Sequence, residues 1–344
     1  MKRLNYAERV IWLDLLRIFA AFCVVTIHID YIFKDNFANA GLVQNNMRSI
    51  LHVIISTADP VFFMISGSMM LSNKRNYSLN QIVRKKISKL LIAFAFWSFI
   101  YSFINNIIIR YWHGKITEGI LKDFVKDFFT GYNHMWFIYA LILLYLSIPF
   151  LKKICEEKNT ELLFIAISSL TYILSFFNYF FICKPLNMLA EQIGLNTIIG
   201  YSLFFVIGHY LLNYEIPSKT RYCIYFITLT VVACMNIFNK EYAYLSFPNG
   251  LMAVSVFLIF KYGVSKIRTS ERSKKFIAFV SSLTFGSYLL HQVYSIAIRF
   301  IAKYIICDSV VIVLDVLVSL GVFIMSLFSV YIISKIPILK KYII

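Results

Sequence analysis

The sequence predicts an all-α integral membrane protein, a bundle of about ten transmembrane helices with both termini cytoplasmic. Three observations predict it. Of the 344 residues, 60% are hydrophobic and only 15% are charged, whereas a soluble domain averages about 25% charged and 45–50% apolar residues. Apolar runs of about 20 residues, the length that crosses the hydrocarbon core, recur along the whole chain. Lysine and arginine are divided unequally between alternate connecting segments, as they are where loops set membrane orientation.

Spans read at residues 10–32, 51–71, 90–111, 134–152, 161–182, 196–213, 220–238, 245–263, 276–299 and 309–334. Between the fifth and sixth, "KPLNMLAEQIGLN" reads either as a loop or as a broken re-entrant piece. With the N-terminus inside, the inner segments hold 23 Lys and Arg and the outer segments 10. That bias puts both ends in the cytoplasm of a multi-pass cell-membrane protein. The first span has no small-residue cleavage site after it and carries charges inside, so it reads as a retained helix. Residues 1–344 are expected to form one transmembrane domain with no separate soluble domain.

The net charge of +17 is spread over short clusters between apolar runs, which argues against a nucleic-acid partner and for membrane lipid. Cys23, Cys155, Cys183, Cys223, Cys234 and Cys307 form no C-x-x-C pair and have no zinc-like spacing with histidine. They read as packing residues, and no metal is expected. Two connecting segments are amphipathic. Residues 76–89, "NYSLNQIVRKKISK", are basic and inner. In residues 115–131, Ile116, Ile120, Leu121, Phe124, Val125, Phe128 and Phe129 fall near one helical face, suited to lying flat in the outer interface.

The first span, "WLDLLRIFAAFCVVTIHID", carries charge where lipid does not tolerate it. At 100° per residue Asp14, Arg17 and His28 share one stripe, with His28 about 16 Å along the axis from Arg17. Such a stripe must face protein or water. Asp14 and Arg17 are i, i+3 partners that can neutralise each other. Asp30 points roughly opposite His28, near the outer interface. In "ADPVFFMISGSMML", Asp59, Phe63 and Ser66 share a face, and Asp59 reads as a cap before the first-turn Pro60. Ser287 and His291 are four apart in "TFGSYLLHQVY", while "NHMWFIYALILLY" places His134 at the start of a span. Three histidines from separate helices, His28, His134 and His291, thus reach one central-to-outer level and predict a polar chamber.

These residues resemble the acyltransferase-3 family of integral membrane acyltransferases. The family's first-helix pattern, a basic residue followed by ten residues and a histidine, is met by Arg17 and His28 within "LDLLR". The pattern F-F-x-x-S-G is met by Phe62, Phe63, Ser66 and Gly67. "HMWFIYALILLYLSIP" resembles the family's tryptophan–phenylalanine span, and "GSYLLH" its late tyrosine–leucine–histidine span. In two places the chain departs from the pattern. The R-x-x-R pair before the third span is replaced by Lys86 and Lys89, with Arg84 and Lys85 beside them, and the proline after it is absent. The chain also has no length for the esterase-like domain of larger members.

The resemblance implies transfer of an acyl group, most often acetyl, from cytoplasmic acyl-CoA to a hydroxyl of an envelope glycan or its lipid-linked precursor, as in polysaccharide O-acetyltransferases. On that reading Arg84, Lys85, Lys86 and Lys89 meet the CoA phosphates, Arg17 meets CoA or pairs with Asp14, and Phe62, Phe63, Ser66 and Gly67 line the path of the acyl-pantetheine arm. His28 is the general base. His134, His291, Ser287 and Tyr288 are unranked donors for the developing oxyanion. Direct transfer and an acyl-histidine relay both stay open. A proton-coupled transporter, or a partner in polysaccharide export without chemistry of its own, would use the same intramembrane polar residues.

Overall fold

The computed structural model describes residues 10–34, 41–72, 78–112, 119–181, 198–237, 246–302, 311–337 and 339, and every regular element among them is helical. In chain order these are α1 (Ile11–Phe33), α2 (Leu42–Ile55), α3 (Ala58–Leu71), α4 (Leu79–Trp112), α5 (Ile120–Thr130), α6 (Trp136–Ile154), α7 (Lys158–Phe181), α8 (Ile198–Asn213), α9 (Ser218–Ile237), α10 (Phe247–Tyr262), α11 (Glu271–Ala302) and α12 (Val311–Ile333). Eight helical stretches among the described residues are long and apolar enough to cross a membrane. Helices α7 and α8 occupy the places of the fifth and sixth expected spans. "KPLNMLAEQIGLN", Ile116, Cys183 and Cys307 lie outside the described residues.

Lipid-facing surface is plain on α12 and α6. Leu317, Ile324 and Phe328 on the first, and Leu143 and Phe150 on the second, are exposed, an apolar area that a soluble monomer does not carry. Inside, two packing arrangements organise the bundle. In the first, α1 and α11 run parallel. The Ser281 hydroxyl donates to Asp14 Oδ1 at 2.7 Å near one end, and His28 meets His291 near the other. The end with Asp14 is called proximal below, and the end with His28 distal. Helix α12 covers this pair through a second apolar cluster of Ala21, Val25, Ile29, Phe33, Val322 and Phe323.

The second arrangement is the crossing of α3 with α8, which touch backbone to backbone. A Cβ on Gly67 would lie 1.8 Å from the Phe205 carbonyl oxygen, and one on Gly208 would lie 1.9 Å from that of Met64. The two glycines are reciprocal, each making room for the other helix, the close approach that small residues permit in membranes.

The helix boundaries revise three sequence expectations. The second span starts before residue 51, since α2 precedes α3 and the pair together runs Val43–Leu71 with a break at Ser56–Thr57. Pro60 has no N–H and would crowd the carbonyl one turn back, so the helix opens there. Hydroxyls add second bonds to carbonyls of the last turn of α2, which the backbone N–H groups of Ser56 and Thr57 also reach: Ser56 donates to His52 O at 2.5 Å and Thr57 to Ile54 O at 2.6 Å. This break also corrects the role given to Asp59. Thr57 holds the cap position, without a side-chain capping bond, and Asp59 sits inside the first turn, where a carboxylate favours the positive end of the helix dipole. Finally, the basic segment is not a separate surface helix. Ser78 and Gln81 form a capping box, and the helix then runs on through π-helical turns at Val83–Ile87 and Ile104–Ile109.

Gly208→Ala is expected to lower the thermal midpoint of the detergent-solubilised protein, because overpacking a tight contact costs about 1–3 kcal/mol. Gly321 on α12 has nothing within 4 Å of the added Cβ, so Gly321→Ala should be neutral or slightly stabilising. Equal losses in the two variants, read by differential scanning fluorimetry, would refute the α3–α8 crossing.

Candidate active site

Three imidazoles meet near the distal end. His28 projects from α1 and His291 from α11. His134 comes not from a helix but from a 3₁₀ turn, Asn133–Met135, that leads into α6. Their ring centroids are 6.2 Å apart for His28 and His134, 5.2 Å for His28 and His291, and 5.1 Å for His134 and His291. The three histidines singled out in the sequence therefore come together, with all three rings in mutual contact. Their exposure differs. His134 and His291 are buried at 3% and 0%, while His28 is half-buried.

Tyrosines hold the two buried rings. The Tyr288 hydroxyl donates to the His134 carbonyl, which fixes the 3₁₀ turn. The Tyr101 hydroxyl donates to the Leu289 carbonyl at 2.6 Å and ties α4 to α11. Tyr101 also stacks on Tyr132 and presents its edge to His134. The His291 Nδ1–H donates to the Tyr288 carbonyl at 2.7 Å. That bond selects the tautomer whose Nε2 carries the lone pair. His291 Nε2 and Ser287 Oγ are buried without a hydrogen-bond partner among the described residues, while the His134 ring reaches the Leu289 backbone. Such unpartnered atoms are uncommon in folded proteins, and two lie four residues apart in one site.

Asp59 lies within electrostatic reach of the Tyr201 and Tyr288 hydroxyls, so the start of α3 borders this chamber. Arg299, on the stripe of α11 that carries Tyr288, lies within reach of His28 and Tyr132. Arg299 and Tyr101 are not among the site residues that the sequence predicts. The signal for Arg299 was present, because eleven steps from Tyr288 return it to within about 20° of the same face.

At the proximal end Arg17 lies 3.7 Å from Asp14 and donates to Ser281 Oγ at 3.3 Å and to Met69 Sδ at 3.0 Å. The i, i+3 pairing is real, and Ser281 joins it from α11. Arg84, Lys85 and Lys86 project from the first π turn of α4 on this same face and are exposed, while Lys89 is half-buried. Phe63 is fully buried against Phe137 and Tyr201, and Phe62 is partly buried against Phe137. Ser66 is partly buried beside them. At Gly67 the close approach is made by the Phe205 backbone, so α8 fills the space expected for an acyl chain.

Asp30 does not face the interface freely. Arg48 of α2 grips it with two bonds, Nε to Oδ1 at 2.7 Å and Nη2 to Oδ2 at 2.9 Å. Asp315 of α12 is fully buried and close to this pair. The fork locks α2 onto the distal end of α1, behind the histidines.

A membrane-embedded chamber lined by histidines, with hydroxyl donors and basic residues at the opposite face, has the parts of a membrane group-transfer enzyme. The acyltransferase-domain model of the acyltransferase-3 family matches residues 10–335. The chain belongs to that family and is a multi-pass membrane acyltransferase. No curated protein and no solved structure matches it.

Arg48→Ala should cost about 3–5 kcal/mol, because it strands a buried carboxylate. Asp30→Asn combined with Arg48→Gln should cost much less. Thermal unfolding of both variants tests this, and equal losses would show that the pair is not buried as described.

Proposed function

We propose that the protein is an O-acyltransferase of the cell membrane that moves an acyl group, most often acetyl, from cytoplasmic acyl-CoA to a hydroxyl of an envelope glycan or its lipid-linked precursor. The observation that carries this reading is the convergence of His28, His134 and His291 at one end of a bundle whose other face is basic. The Lys and Arg bias sets the proximal face in the cytoplasm, where acyl-CoA is available. Arg84, Lys85, Lys86 and Lys89 supply cations for its phosphates, with Arg17 deeper on the same side. Lysines give charge without the bidentate fork of arginine, so the headgroup contact is electrostatic.

In the reaction, His28 accepts the proton of the acceptor hydroxyl as its oxygen attacks the thioester carbonyl. A new C–O bond forms and the tetrahedral intermediate collapses. The C–S bond breaks, and His28 returns the proton to the CoA thiolate. Such general-base help is worth about 10²–10⁴ in rate. For the oxyanion donor, the His291 Nδ1–H is committed to the Tyr288 carbonyl and the Tyr288 hydroxyl to the His134 carbonyl. Ser287 Oγ has no such partner among the described residues, which supports Ser287 in this role on the present reading.

His28→Ala is expected to abolish transfer of label from radiolabelled acetyl-CoA to envelope glycan, with normal membrane insertion and size-exclusion profile. Normal transfer by that variant would remove His28 from the chemistry. Lys86→Ala with Lys89→Ala should raise the KM for acyl-CoA several-fold and leave that for the acceptor alone. Steady-state kinetics would place the donor elsewhere if the acyl-CoA KM did not move.

A further inference from the structure

A second cluster of chemically active side chains lies away from the histidine chamber, at the proximal end of the bundle. Cys155 follows α6, Glu161 is in the first turn of α7, and His209 lies one turn before the end of α8. All three are buried, and one ligand atom from each lies within 4.8 Å of the other two. His209 Nδ1 is 2.7 Å from Glu161 Oε1. The Cys155 thiol lies within hydrogen-bond reach of the same carboxylate, so Glu161 stands between the imidazole and the thiol. An ion pair between histidine and glutamate would explain the 2.7 Å contact. It would not explain why a buried thiol from a third helix end is brought to the same carboxylate, which is itself 0% exposed.

We infer that Cys155, Glu161 and His209 form a binding site for a borderline-soft divalent cation, zinc by the chemistry of its ligands. Thiolate, imidazole and carboxylate together select such an ion over magnesium or calcium, which prefer oxygen alone. Tetrahedral zinc with bonds of about 2.0–2.3 Å sets its ligand atoms about 3.5 Å apart. The observed cluster reaches that spacing by small side-chain movements, with the His209–Glu161 contact opening as the ion enters. Three protein ligands leave a fourth position for water, as in open zinc sites. Binding requires the thiol to lose its proton, so cation uptake releases acid. The ion would tie the α6–α7 turn to α8, the helix whose opposite contact is the glycine crossing with α3.

The test uses the purified full-length protein in detergent, stripped with chelator and titrated with Co²⁺ alone, then with Zn²⁺. Expected is a thiolate-to-cobalt charge-transfer band that saturates at one ion per chain and is displaced by Zn²⁺. Cys155→Ser should lose the band. A variant that keeps Cys155 and replaces the other five cysteines with serine should retain it, which guards against misfolding of Cys155→Ser. Absence of the band from the wild-type protein, or its loss from the variant that keeps only Cys155, would overturn the site.

Discussion

Hydrocarbon offers no hydrogen bonds, so a polar side chain inside the bundle must find its partner on another helix or stay out. The parallel pair α1 and α11 is the arrangement this constraint produces. At the proximal end Ser281 bonds Asp14 and accepts from Arg17. At the distal end His28 and His291 face each other. Neither helix could carry its polar stripe alone, and each supplies what the other lacks. The register between them is fixed by the Asp14–Ser281 bond, which in turn sets the two histidines at one level. A slip of one turn, about 5.4 Å, would break both contacts together.

The second structural axis, α3 against α8, holds the chamber's wall by different means. Here the contact is backbone on backbone, through Gly67 and Gly208, and attraction comes from dispersion and close fit rather than polar pairing. Phe63 and Tyr201 extend this contact towards His134 through Phe137. The break at Ser56–Thr57 then turns α2 away from α3 so that Arg48 reaches Asp30. A straight helix through Pro60 would lack one backbone bond, and at the break the hydroxyls and backbone N–H groups of Ser56 and Thr57 turn back onto the last turn of α2.

What could be read from sequence follows from which signals are local. The stripe of Asp14, Arg17 and His28 was legible because it obeys one helix's period. Ser287 and His291 were legible for the same reason. Arg48 was not, because its partner Asp30 lies on another helix and nothing local in the sequence marks that pairing. The capping role given to Asp59 failed because the helix break falls three residues before Pro60, not one. Most hidden was the trio of Cys155, Glu161 and His209. Its spacings of six and 48 residues match no metal pattern, since the site exists only where three helix ends converge. Gly67 is the instructive middle case: its need for a close neighbour was readable, but a single sequence could not say that the neighbour is another helix.

The histidine chamber also shows where stability gives way to chemistry. An unmade hydrogen bond on a buried polar group costs about 1–3 kcal/mol, and most of the bundle avoids it. Buried Ser98, Thr228, Ser255 and Asn106 all have partners. Among the three histidines, Ser287 Oγ and His291 Nε2 have no partner among the described residues, while the backbone around them is held by Tyr101 and Tyr288. On the proposed reading, rigid support with unspent polar atoms would stabilise a charge that appears only during reaction, because no internal bond has to break first. His28 differs from its neighbours in being only partly buried, whereas His134 and His291 are fully enclosed. The geometry therefore distinguishes three imidazoles that the sequence could only group, because burial depends on which helices close over each ring.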